Sequence, residues 1–278
     1  MRVGPLRLET DLPLARPAPG DGGDLLLVRR GPVDAGGLAR DALLLASDAD
    51  RAVLEVPGVA RYEVRGGAVT VDVHPGAPGA RVEHHLCGAP LALALEDRGL
   101  LALRGGAFLA EGRAWVLTGP PARGTSTVLA SLRRAGHPLL GDGWIPLRGT
   151  EALPGCPWLE LWEGTPELET LAPGGLAPCG PGWARGWWPL GEAWVDRAVP
   201  LGGVLTLSEL PAARLSASEA LGFLGAARVA PARWGPRQRR ERFLALTALV
   251  RRVPVLRVGC RDWAPRALAG QVLEALPR

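Results

Sequence analysis

The stretch of this sequence richest in chemistry is G-P-P-A-R-G-T-S-T, residues 119–127. Gly119, Gly124 and the hydroxyl residues after them keep the spacing G-x-x-x-x-G-K-[ST] of a phosphate-binding loop. Such a loop works because backbone N–H groups and a helix N-terminus converge on phosphate oxygens. The lysine is missing: Thr125 stands in its place, followed by Ser126 at the position of the magnesium-binding hydroxyl and then Thr127. Arg123 is the loop's own cation, but its planar fork does not sit where a compact ammonium would. Pro120 and Pro121 supply no N–H, which removes two potential phosphate donors. Further on, Asp142 is flanked by Gly141 and Gly143 at the end of an apolar run. That placement suits a magnesium ligand or general base, and equally a plain Asp-Gly turn.

These residues need a frame, and the pattern of residues 114–147 supplies one. Residues 114–118 read as a buried strand, 119–124 as a loop, 125–135 as an amphipathic helix, and then a second short strand ends in Gly141-Asp142-Gly143. Upstream, residues 1–80 form a β-rich N-terminal region, with strands at 25–29 and 52–56 and a hairpin of 61–64 with 69–74 about Gly66-Gly67. Residues 82–98 carry apolar residues at helical spacing across Pro90, with Gly99 as a stop. Strands at 100–103 and 107–110 lead through Glu111-Gly112-Arg113 into the central strand. Downstream come a strand at 201–207, helices at 217–224 and 238–250, a strand at 253–258 and a closing helix at 265–276. Alternating strands and helices give residues 81–278 an α/β character.

Composition narrows the function. With 47% hydrophobic residues the chain can bury a substantial core. All 32 basic residues are arginine, and lysine and asparagine are absent, a bias expected of GC-rich coding and of thermophilic pruning of labile residues. A drift from lysine to arginine keeps the charge, whereas Thr125 gives it up. The net charge of +4 is mixed along the chain and demands no polyanionic partner. Arg237, Arg239, Arg240 and Arg242 have no interleaved aromatic platform, so they read as a solvated helix face and nucleic acid is excluded. Cys87, Cys156, Cys179 and Cys260 form no C-x-x-C pair, which argues against a zinc site and a disulfide framework and for reduced thiols in a cytoplasmic protein. His84, His85 and His137 have no acidic or thiol partner at metal spacing in the sequence. No apolar run approaches the roughly 20 residues that span a bilayer, so no membrane role is expected. Six of the ten tryptophans fall in residues 154–200, as core packing or as a recognition surface.

From about residue 60 onward the order of elements resembles the HPr serine kinase/phosphorylase family, and more closely its divergent relatives in bacterial peptide-modification clusters. The resemblance rests on R-G-L-L-A-L-R-G-G-A-F (98–108), E-G-R-A-W-V-L-T-G-P (111–120), G-T-S-T-V-L-A-S-L-R-R-A-G-H-P-L-L-G-D-G (124–143) and residues 188–209. It implies a P-loop core of HPr-kinase/PEP-carboxykinase type, with ATP or GTP and magnesium as cofactors. Gly119, Arg123, Gly124, Thr125, Ser126 and Thr127 would then line the nucleotide, and Ser126 and Asp142 would hold magnesium. The departures fall on the chemistry. Arg104 replaces the strand histidine, Thr125 the lysine, and Gly143 the second of two acidic residues. Each such contact is worth roughly 10²–10³ in rate.

Three readings follow from that resemblance. The first is a degenerate, catalytically inactive pseudokinase that serves as a binding or scaffold partner for a peptide or protein. The second is a divergent ATP-dependent serine kinase in which Arg123, Ser126 and Asp142 carry the site. The third is a nucleotide sensor that binds without hydrolysis. Relatives of the family often assemble, so a homo-oligomer is among the expected partners.

Overall fold

The structure, a computed structural model, describes residues 2–16, 23–34, 44–47, 51–120, 123–180, 182–228 and 236–277. It is a mixed α/β protein rich in sheet. Among the described residues no helix is long and apolar enough to cross a membrane.

The first sheet holds β1 (Arg2–Val3), β2 (Leu6–Thr10), β3 (Asp24–Arg30), β4 (Leu44–Ser47), β5 (Arg51–Val56), β6 (Ala60–Arg65) and β7 (Ala68–Val73) in the order β1-β2-β3-β7-β6-β5-β4. The β6–β7 hairpin turns on Gly66 and Gly67, with φ of +55° and +73°, as the Gly-Gly pair predicts. Residues 82–98 depart from the single expected helix. They form α1 (Gly79–Leu86) and α2 (Ala89–Asp97), broken at Gly88, with Pro90 in the first turn of α2. Proline fits a first turn because the N–H it lacks would have no intrahelical partner there. Both helices pack their apolar residues on the first sheet, where Tyr62 is fully buried and donates to Val82 O at 2.8 Å.

The second sheet is built around β10 (Arg113–Leu117). The other strands are β8 (Leu101–Arg104), β9 (Gly106–Ala110), β11 (Leu139–Gly141), β12 (Trp144–Arg148), β13 (Glu151–Ala152), β17 (Val199–Ser208), β18 (Ala213–Arg214) and β19 (Val255–Gly259). β10 runs parallel to β17 and β17 parallel to β19, while β9 is antiparallel to β10. Helices α3 (Thr125–Arg134) and α7 (Pro265–Glu274) cover one face, and α5 (Ala217–Ala226) and α6 (Pro236–Arg252) the other. That double cover is why β10 reads as an unbroken apolar run: Trp115 and Leu117 pack toward α3 and α7, Ala114 and Val116 toward α5 and α6. Gly203 is fixed by the same packing, since a Cβ there would lie 2.4 Å from the Trp115 ring.

The tryptophan-rich stretch folds into a small antiparallel sheet of β14 (Trp158–Trp162), β15 (Ala177–Pro178) and β16 (Arg185–Pro189), with the short α4 (Leu168–Leu171) between β14 and β15. Its tryptophans differ in burial, with Trp158 2% exposed in the core and Trp162 52% exposed. The arginine run on α6 is not uniformly solvated. Arg239 and Arg240 are exposed, whereas Arg242 turns inward to the Glu96 and Leu100 carbonyls and the Glu96 carboxylate.

Glu96 is wholly buried, and its carboxylate accepts from Arg228 Nε at 2.9 Å, Arg228 Nη2 at 2.5 Å and the Ala102 N–H at 3.1 Å. Removing one partner of a buried ion pair leaves the other charge uncompensated. Glu96→Ala is therefore expected to destabilise the fold by about 3–5 kcal/mol. Urea unfolding checks this, and a loss below about 1 kcal/mol would contradict it.

Candidate functional site

The 119–127 segment begins where β10 ends. Thr118 donates its hydroxyl to Arg104 O and its N–H to Leu205 O at 2.9 Å, which pins the loop's entry between β8 and β17. Pro121 and Ala122 lie outside the described residues. Gly124 is the N-cap of α3 with φ +81°, a left-handed conformation that glycine adopts without strain, and it offers no capping side chain. Thr125, Ser126 and Thr127 form the first turn, all partly buried.

Ser126 lies on the side of this turn nearest Asp142 and favours the ionised form of its carboxylate. Asp142 follows β11 and is 7% exposed. Its Oδ1 accepts the Gly143 N–H at 2.8 Å, and its Oδ2 accepts the Glu160 N–H at 3.4 Å. Close approach here depends on Gly106, where a Cβ would sit 2.2 Å from Leu129 Cδ1 and 3.2 Å from Asp142 Oδ1. Burial pushes the Asp142 carboxyl up to about 6, even though the Ser126, Gly143 and Glu160 hydrogen bonds work in the opposite direction.

Arg123 lies away from this carboxylate. Its guanidinium pairs with Glu209 at 3.3 Å, and both side chains are at least half exposed. Arg104, at the position of the family's strand histidine, is exposed at the end of β8 opposite Trp144. These residues do not fit a magnesium nucleotide. The cation that should meet the phosphates is absent at Thr125 and turned outward at Arg123, Pro120 offers no N–H, and the Asp142 carboxylate is buried and accepts two internal backbone N–H groups.

Beyond Asp142 lies a second polar group that spacing along the chain did not reveal. Glu160, in the middle of β14, accepts from Arg16 Nη1 at 2.7 Å and lies 2.8 Å from His84 Nδ1, with Arg185 3.8 Å from its other oxygen. The expectation that His84 has no acidic or thiol partner is thus corrected. Glu160 is 76 residues away in sequence, and the pairing of β14 with β16 brings it to α1 together with Cys179. Burial alone would raise the Glu160 carboxyl, but the His84 hydrogen bond and the Arg16 charge outweigh it and hold the group below the usual range. Burial and neighbouring His84 push His85 down to about 4, so its imidazole is neutral at pH 7. Burial raises the Cys87, Cys156 and Cys179 thiols, so none is a ready nucleophile.

Arg16 is anchored from several sides. The Glu83 carboxylate accepts its backbone N–H at 2.7 Å, and its guanidinium lies about 6 Å from the Trp158 and Trp187 rings. The third sequence candidate, His137, bonds Leu109 O at 3.1 Å and packs edge-on against Phe108, well satisfied at the far end of α3.

In comparison with known proteins, the chain matches no family model and no curated protein.

The Asp142 shift carries a sign that can be tested. The folded chain holds a proton that the unfolded chain releases near the ordinary value of 3.8. Stability therefore falls as pH rises from about 4 to about 6 and levels off above, by roughly 3 kcal/mol. Asp142→Asn carries no such proton, so its stability relative to wild type should climb by that order across the window. Parallel stability–pH curves for the two proteins would contradict the assignment.

Proposed function

We propose that the chain is a degenerate member of the HPr-kinase-like P-loop family, catalytically inactive in phosphoryl transfer and retained as a binding or scaffold partner for a peptide or protein in a bacterial peptide-modification pathway. The observation that carries this reading is the Asp142 carboxylate. It is buried, its carboxyl is pushed up to about 6, and its two oxygens accept the Gly143 and Glu160 N–H groups. A base or metal ligand for phosphoryl transfer needs an open lone pair and a cation beside the phosphates. Thr125 and the outward Arg123–Glu209 pair do not supply that cation. Support for the binding role comes from the surface, where Trp162 is half exposed beneath the Arg185 guanidinium at 4.1 Å. An exposed tryptophan stacked with arginine is a composition typical of interaction hot spots.

One observation favours the second reading, a divergent ATP-dependent serine kinase. Ser126 still lies close enough to Asp142 to favour its ionised form, and in the family it resembles these two positions would hold magnesium. The discriminating experiment is transfer of the γ-phosphoryl group of ATP to serine peptides with magnesium, run beside Asp142→Ala. The expected result is no transfer above the Asp142→Ala baseline. Robust magnesium-dependent phosphorylation that Asp142→Ala abolishes would replace the inactive reading with the kinase.

A further inference from the structure

His84, Glu160 and Cys179 bring nitrogen, oxygen and sulfur donors to one place, and one ligand atom from each lies within 4.8 Å of the other two. We propose that these three side chains form a binding site for a borderline-soft divalent metal ion of the zinc class, entered in exchange for the Arg16 guanidinium. A tetrahedral ion with bonds of about 2.0–2.3 Å holds its ligands roughly 3.3–3.8 Å apart, so the site closes on a metal with shifts of about 1 Å. A thiolate beside an imidazole selects such ions over magnesium or calcium.

The donors sit on separate, well-anchored elements. His84 is in α1, Glu160 is central in β14 with its N–H on Asp142, and Cys179 follows β15 with its N–H on Arg185 O at 3.2 Å. An ion can reach them, because the His84 and Glu160 side chains are 16% and 21% exposed while the thiol lies beneath. The position is already cationic in character: Arg16 holds Glu160 Oε1 at 2.7 Å, and Arg185 is 3.8 Å from Oε2.

Metal entry is therefore an exchange. The Arg16 guanidinium leaves the carboxylate, the Cys179 S–H gives its proton to solvent, and the neutral His84 imidazole donates one ring nitrogen's lone pair while its single N–H resides on the other. No electron is transferred, and one proton is released for each ion bound. This site is independent of the reading of the 119–127 loop.

Cobalt(II) titration of the reduced protein tests it through the thiolate-to-cobalt charge-transfer absorption. The expected result is one equivalent bound, with bands bleached by zinc. Cys179→Ser should abolish the charge-transfer band, His84→Ala should weaken binding roughly tenfold or more, and Arg16→Met, which keeps an apolar stem against Trp158 and Trp187, should tighten it. Zinc should also raise the thermal midpoint of the native protein but not of His84→Ala, a readout that stands even if Cys179→Ser does not fold. Absence of a charge-transfer band at stoichiometric cobalt in both native and Arg16→Met proteins would overturn the proposal. So would a band that survives in folded Cys179→Ser, because the thiolate would then be another cysteine.

Discussion

The buried carboxylate of Asp142 joins two parts of the chain: the turn after β11 through the Gly143 N–H, and β14 through the Glu160 N–H. A buried carboxylate is costly unless its lone pairs are engaged. Here two backbone N–H groups of the protein engage it, which ties the turn after β11 to the tryptophan-rich sheet. The same bonds that stabilise the arrangement withdraw the group from chemistry. In a working phosphoryl-transfer site the corresponding interactions go to a metal and a reacting hydroxyl.

A second constraint is the all-arginine cation set. Arginine binds carboxylates through a fixed fork and remains charged when buried. In this fold the arginines serve internal carboxylates: Arg228 and Arg242 on Glu96, Arg16 on Glu160, Arg61 on Glu55 at 2.6 Å. The loop's own Arg123 follows the same habit and pairs with Glu209. The described loop thus carries no lysine at position 125, and its one arginine, Arg123, is engaged by Glu209.

The parts of the fold set by local rules were legible in the sequence. The Gly66-Gly67 hairpin, the β10–loop–α3–β11 unit and the α5 to α7 succession each follow from turn chemistry or an uninterrupted apolar period. The α1/α2 break escaped because apolar spacing runs straight through Gly88, and Pro90 is tolerated in a first turn. Arg242 was misjudged because its partner Glu96 lies on another helix. In the candidate site, Ser126 and Asp142 could be singled out from the motif, but the burial of the carboxylate depends on Gly106 and β14, which the motif does not include. The Glu160, His84 and Cys179 group was hidden for the same reason: its members meet only after sheet pairing, and the available signals were an isolated charge between apolar neighbours in β14 and a His-His pair beside it in space.

The central proposal is that the 119–127 segment keeps the residue spacing of a phosphate loop without its function. Isothermal titration of the purified protein with ATP and with GTP, with and without magnesium, tests it most directly. The account predicts no saturable binding up to about 1 mM nucleotide, the weak end of measurable affinity. Micromolar, magnesium-dependent binding would contradict it, and would mean that Ser126 and Asp142 are available to a metal.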